Sequence, residues 1–200
     1  AEPEPSDIRD RQTIVSGMGG SGIGGEILSA LSDITNFCQV TSWNNYGLPQ
    51  WVTKDCCVIC ISYSGNTAET LSAAKAAIEI GCNVEVITTG GKLKKLAEEN
   101  NLHITEIDKG HQPRAALPLL LKALIYRVGI PNLEEQISEV NNLKLPITDS
   151  KNIALRLKGT NPCIYSSGLM NPVAYRWRCQ IEENAKQLAF NHQIPEMNHN

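Results

Sequence analysis

Three times in its first 130 residues this chain passes from a short β-rich run, through a loop of glycine or hydroxyl residues, into a helical pattern. Gln12-Thr13-Ile14-Val15-Ser16 leads into Gly17-Met18-Gly19-Gly20-Ser21-Gly22-Ile23-Gly24-Gly25, and helical spacing follows from Glu26 to Leu31. Asp55-Cys56-Cys57-Val58-Ile59-Cys60-Ile61 leads into Ser62-Tyr63-Ser64-Gly65-Asn66-Thr67, with a helix predicted from Ala68 to Ile80 and closed by Gly81. Asn83 to Thr89 leads through Gly90-Gly91 to a helix from Lys92 to Glu99. Leu102 to Ile107 reads as a further short strand and Ala115 to Val128 as a further helix. The run from Asp55 to Ile61 lacks polar alternation, the pattern of a strand buried on both faces. Such spacing predicts an α/β domain over residues 10–130, a parallel sheet flanked by helices in three layers.

The segment 131–150 reads as a connection carrying a short polar helix and Pro146. A second unit is expected over 151–200: a helix from Lys151 to Lys158, a strand from Cys163 to Gly168 and one helix from Val173 to Phe190. One strand cannot close a sheet, so this unit reads as incomplete. The first residue is not Met, and the chain is expected to be part of a longer product. Its acidic, proline-bearing start is the opposite of a signal peptide, and no run reaches the roughly 18 apolar residues of a membrane span. Seven cysteines, an odd set partly inside apolar runs, are read as reduced thiols in the cytoplasm. With 18 Lys+Arg against 21 Asp+Glu and no basic run, nucleic acid and acidic membranes are excluded as partners. An anionic ligand must then be held by a loop or a helix end.

Two loops can do that. The glycine run contains Gly17-x-Gly19-x-x-Gly22, whose N–H groups can approach a ligand closely. No acidic residue stands after the next strand to take a ribose hydroxyl, and no Gly-Lys-Ser/Thr follows, which counts against dinucleotide and P-loop readings. Tight strand–helix packing is the rival explanation for these glycines. In Ser62-Tyr63-Ser64-Gly65-Asn66-Thr67, three hydroxyls and free N–H groups at a strand's carboxyl end can wrap a phosphate without a cation. A helix cap would need only one of them. Cys56, Cys57 and Cys60 lack a second ligand pair at zinc spacing and read as core, so no metal is assigned.

The hydroxyl loop resembles the Ser-x-Ser-Gly-x-Thr signature of sugar isomerase (SIS) domains. The glycine run, Gly110-His111-Gln112-Pro113-Arg114-Ala115-Ala116, Gln180-Ile181-Glu182-Glu183-Asn184-Ala185-Lys186 and Pro195-Glu196-Met197-Asn198-His199-Asn200 are similar to segments of the bifunctional phosphoglucose/phosphomannose isomerases. The resemblance runs from Ile14 to Asn200. It implies a first SIS domain, an incomplete second one, and a homodimer with a shared active site. The implied activity interconverts glucose 6-phosphate or mannose 6-phosphate with fructose 6-phosphate, without a cofactor. By the same resemblance Ser21, Ser62, Ser64 and Thr67 hold the phosphate, with Gly20 and Gly65 in the pocket loops. Arg114 faces the enediolate, Glu183 is the base and His199 helps open the ring. Residue type agrees: a carboxylate can shuttle a proton between neighbouring carbons, a fixed cation stabilises enediolate oxygens, and an imidazole exchanges protons near neutral pH. Only one of Glu182 and Glu183 can face a pocket, since successive helical residues point about 100° apart. A non-catalytic phosphosugar-binding module is the alternative.

Overall fold

In the computed structural model residue 8 and residues 11–35, 38–130 and 147–199 are described. The expected connection falls for the most part outside them. The chain divides into two compact units, Ala1–Gly129 and Ile130–Asn200.

The first unit is a five-stranded, wholly parallel sheet in the order β2-β1-β3-β4-β5. Its strands are β1 (Thr13–Ser16), β2 (Val40–Trp43), β3 (Cys57–Ser62), β4 (Asn83–Thr88) and β5 (His103–Glu106). Its helices are α1 (Gly20–Thr35), α2 (Ala68–Ile80), α3 (Gly91–Glu99) and α4 (Leu117–Val128). Every residue of β3 is buried, as its unbroken apolar run requires. One face of the sheet packs Ile14, Val58, Cys60, Val84 and Val86 against Ala74 and Ala77 of α2 and Leu93 and Ala97 of α3. The opposite face meets α1 and α4. Cys57 and Cys60 point to opposite faces of β3, so they cannot converge on one ion. Burial pushes both thiols up to about 12, and all seven cysteines are free.

Glu85, in the middle of β4, is 3% exposed. It is neutralised from α4, where Arg127, 5% exposed, donates from Nε to Glu85 Oε2 at 2.8 Å. His103 is the register partner of Glu85 on β5. Burial holds its imidazole below the usual value, the Arg127 charge adds to this, and Glu85 opposes it.

The first unit departs from the sequence pattern at two points. Residues 20–25 are not loop: α1 starts at Gly20, six residues before the predicted helix. These glycines let the helix lie against the strands. A Cβ on Gly25 would sit 3.0 Å from Val15 Cγ1, and one on Gly22 2.8 Å from Asn44 Oδ1. The packing explanation therefore holds for this half of the run. The edge strand β2 carries no apolar run, and the sequence reading passed over it.

The second unit contains α5 (Ile147–Leu157), β6 (Cys163–Ser167), α6 (Asn171–Gln180) and β7 (Phe190–Ile194). β6 and β7 are parallel, so the segment between them is a crossover, and the described residues of the unit hold two strands rather than the one expected. The expected helix to Phe190 ends at Gln180 in a π turn, Ile181–Ala185, and Lys186 turns left-handed at φ 53°. Ala185 to Ala189 have adequate helix propensity, yet pairing of β7 with β6 overrides it. Gln187 fixes the return by donating to Leu157 O at 2.8 Å and accepting the Gly159 N–H at 3.3 Å.

Candidate active site

In the first unit the chain leaves β1 toward β2 on one side, and β3 lies on the other side of β1. The loops after β1 and β3 therefore diverge, and a crevice opens between them at the carboxyl ends of the strands, where open α/β sheets bind ligands. The Gly17–Gly19 turn and Ser21 rise from one wall, and Ser62 to Thr67 from the other. Ser21 is 8% exposed, in the first turn of α1, and its hydroxyl has no hydrogen-bond partner among the described residues. Gly20 opens that helix.

The β3–α2 loop is held by its own hydroxyls. Ser62, 1% exposed, accepts the Gly65 N–H at Oγ (3.1 Å) and pairs with Thr67 Oγ1 at 2.8 Å. Ser64 is exposed and accepts the Asn66 N–H at 3.2 Å, which leaves its O–H free to donate outward. Thr67 precedes α2 but makes no side-chain cap bond. The N–H groups of Ala68, Glu69 and Thr70 thus have no partner among the described residues and carry the positive end of the helix dipole.

The loop is clamped from the next crossover, a support that sequence reasoning missed. Thr89 Oγ1 donates to Tyr63 O at 2.7 Å, Leu93 N–H to Gly65 O at 2.8 Å and Lys92 N–H to Asn66 Oδ1 at 3.2 Å. Two N–H groups in the first turn of α3 are therefore already used, whereas the first three of α2 remain without a partner among the described residues. At φ 66°, Gly65 passes so close to Gly90 that a Cβ would lie 1.7 Å from Gly90 O. The signal in the sequence is Thr89-Gly90-Gly91 at the carboxyl end of a strand, a hydroxyl and two glycines where β4 gives way to α3.

Arg114 lies on a three-residue 3-10 turn, Pro113–Ala115, and is exposed. The segment that carries it leaves the edge strand β5 and returns over the sheet: Ile107 N–H donates to Thr88 O at 3.0 Å, and His111 N–H to Tyr63 Oη at 2.8 Å. The segment that carries Arg114 is thereby tied at His111 to the β3–α2 loop.

Glu183 and His199 belong to the second unit. Glu182 is engaged with Arg178 at 3.8 Å, whereas Glu183 is exposed on the π turn. A π turn adds a residue to the helical turn and so re-aims its side chains. His199 is exposed and follows a 3-10 turn at Glu196–Asn198. Glu183 leads into the amino end of β7, and His199 leaves its carboxyl end. A mainly apolar cleft of about 780 Å³ between α5 and α6, lined by Ile153, Leu157, Trp177 and Ile181, contains neither residue.

The parallel sheet, its switch-point crevice and the hydroxyl loop make up a fold shared with solved phosphosugar isomerases. One of these is the structure of tagatose-6-phosphate ketose/aldose isomerase from Escherichia coli. It superposes with a TM-score of 0.69 at 16% identity, covering 96% of this chain and 58% of that one. Residues 147–200 match the bacterial phospho-glucose isomerase C-terminal SIS domain. Over most of its length the chain is homologous to several bifunctional phosphoglucose/phosphomannose isomerases. The protein of that name from Aquifex aeolicus is 40% identical over 94% of this chain and 60% of its own length. A D-glucosamine-6-phosphate 4-epimerase from Sulfolobus acidocaldarius is 37% identical over 92% of this chain and 60% of its own. The chain thus spans about three fifths of the length of these relatives. Among the described residues no helix is long and apolar enough to cross a membrane.

Proposed function

We propose that the protein is an aldose–ketose isomerase that interconverts glucose 6-phosphate, and mannose 6-phosphate, with fructose 6-phosphate. The observation that carries the reading is the β3–α2 loop. Ser64 O–H, Thr67 and the unengaged N–H groups of α2 converge at a switch-point crevice, a donor set suited to a phosphate dianion. Ser21 adds a hydroxyl from the opposite wall, and Ser62 braces the loop from beneath while Gly65 keeps it close to Gly90.

With the phosphate fixed there, the sugar extends over the sheet ends toward Arg114. His199 exchanges the proton between O1 and O5 that opens the ring. The Glu183 carboxylate then removes the C2 proton, leaving a cis-enediolate whose negative oxygens face the Arg114 guanidinium, and returns the proton to C1. Electrons and protons balance within the substrate, so the reaction needs no cofactor. Glu183 and His199 flank opposite ends of β7, which supports a homodimer in which one site draws on both subunits. On this reading residues 10–130 are the first SIS domain, 131–150 a connection and 151–200 the start of the second. The enzyme then serves glycolysis and gluconeogenesis in the cytoplasm.

The test uses the complete natural protein and its Glu183→Gln variant, with glucose 6-phosphate, mannose 6-phosphate and glucosamine 6-phosphate offered separately. Fructose 6-phosphate is expected from the first two. Turnover should fall about 10²–10⁴-fold in the variant, with fructose 6-phosphate binding retained. Phosphosugar binding without turnover would leave the non-catalytic module. A 4-epimer formed from glucosamine 6-phosphate, with no ketose product, would replace isomerisation by the reaction named for the Sulfolobus relative.

A further inference from the structure

Tyr63 stands between two candidate phosphate-site serines, and nothing in the reaction calls for a phenol there. Its backbone carbonyl belongs to the clamp, accepting both the Thr89 hydroxyl at 2.7 Å and the Thr89 N–H at 3.2 Å. Its hydroxyl points elsewhere. Oη accepts the His111 N–H at 2.8 Å and donates to Asp108 O at 3.4 Å. One phenol thus closes both ends of the Asp108–His111 turn, which bends at Gly110 with φ 103°. Arg114 follows three residues later, and the segment is next anchored by Ala116, which is fully buried. Between them residues 108–115 are all exposed. Their other backbone bonds are local, Ala115 N–H to Gln112 O at 2.8 Å and Ala116 N–H to Pro113 O at 3.2 Å. Ile107 N–H to Thr88 O, at 3.0 Å, holds only the start of the crossing.

The geometry points to Tyr63 as a positioning residue: its hydroxyl ties the phosphate-binding loop to the segment bearing Arg114, so that a phosphate seated on Ser64 and α2 fixes the cation that meets the enediolate. The inference rests on the proposed isomerase reading and deepens it. Phosphate binding is thereby converted into order at the reacting carbons, the use of remote binding energy that raises kcat rather than affinity. The phenol touches neither phosphate nor sugar and acts through Arg114. A simple staple would instead lower stability and affinity together.

The test compares the complete natural protein with Tyr63→Phe, Arg114→Met and the double variant. Removing the hydroxyl while keeping the ring should lower kcat about ten-fold, the worth of one to two neutral hydrogen bonds. KM and the Kd for inorganic phosphate should stay near those of the parent, and the melting temperature should fall by no more than the roughly 2–4 °C per lost hydrogen bond. In the Arg114→Met background the same change should have no further effect on kcat, because the group it positions is gone. A second readout needs no turnover. Inorganic phosphate should slow amide hydrogen exchange across residues 108–115 in the parent and not in Tyr63→Phe. Unchanged kcat, a multiplicative double variant, or phosphate-dependent protection that survives in Tyr63→Phe would overturn the inference. Absent turnover in the parent, with protection by phosphate lost only in Tyr63→Phe, would sink the isomerase reading while leaving the coupling of the two segments standing.

Discussion

Gly65→Ala separates two costs that are usually confounded. The residue sits at φ 66°, where an L side chain is strained by about 1 kcal/mol whatever the space around it. Its new Cβ would also lie 1.7 Å from Gly90 O, 2.7 Å from Gly90 C and 2.8 Å from Thr88 Oγ1. Contacts under 3.0 Å are not tolerated, so the two loops must part by at least 1.3 Å, the difference between 3.0 and 1.7. The Leu93 N–H to Gly65 O bond, 2.8 Å at rest, then stretches past 4 Å and is lost. The Thr89 Oγ1 bond to Tyr63 O and the Lys92 N–H bond to Asn66 Oδ1 are strained with it. At about 1 kcal/mol for each hydrogen bond, strain and lost bonds together come to about 3–4 kcal/mol.

Gly47 provides the control. It has φ 61° and nothing within 4 Å of an added Cβ, so Gly47→Ala carries the strain alone, about 1 kcal/mol. Thermal melting should fall about 6–16 °C for Gly65→Ala and about 2–4 °C for Gly47→Ala, at roughly 2–4 °C per kcal/mol. Titration with inorganic phosphate should show binding weakened at least ten-fold in the Gly65 variant, about 1.4 kcal/mol, and unchanged in the Gly47 variant. Equal melting shifts for the two, or a Gly65 variant that keeps its phosphate affinity, would refute the claim that the clamp shapes the phosphate loop.

Two further outcomes follow from the polar pair inside the sheet. Arg127→Met strands the Glu85 carboxylate at 3% exposure and should cost about 3–5 kcal/mol in urea unfolding, whereas Glu85→Leu/Arg127→Met should recover most of it. A single variant costing less than about 1 kcal/mol would show that water reaches the pair. His103, held below its ordinary pKa, is more readily protonated in the unfolded chain. Its contribution to stability is therefore present above the unfolded value near 6.5 and lost as pH falls toward the lower folded one. Stability between pH 7 and 5 should decline less steeply in His103→Gln, and an identical slope would exclude this histidine as its source.

Much of the first unit was legible because its signals are local. An apolar run such as Cys57 to Ile61 has no stable place except between two layers, and Gly81 ends α2 as the pattern requires, at φ 84°. The hydroxyl loop was equally visible, since three hydroxyls around a glycine exceed what a cap needs. Boundaries that depend on partners were not. The glycines from Gly20 to Gly25 read as loop by propensity, yet they form helix because β1 and β2 lie against them. The segment from Ala185 to Phe190 reads as helix, yet it turns because β7 must pair with β6.

The sequence by itself determined the alternation of strands and helices, the parallel sheet that follows from it, and the residue types offered for phosphate and proton transfer. Each rests on period and side-chain chemistry, which are written along the chain. Only the tertiary structure decided that Ser62 braces while Ser64 faces outward, that two first-turn N–H groups of α3 are spent on the phosphate loop, and that Tyr63 holds the approach to Arg114. Those roles depend on which donors are already used, and the partners that clamp the loop and hold the approach to Arg114 lie 26 to 48 residues away.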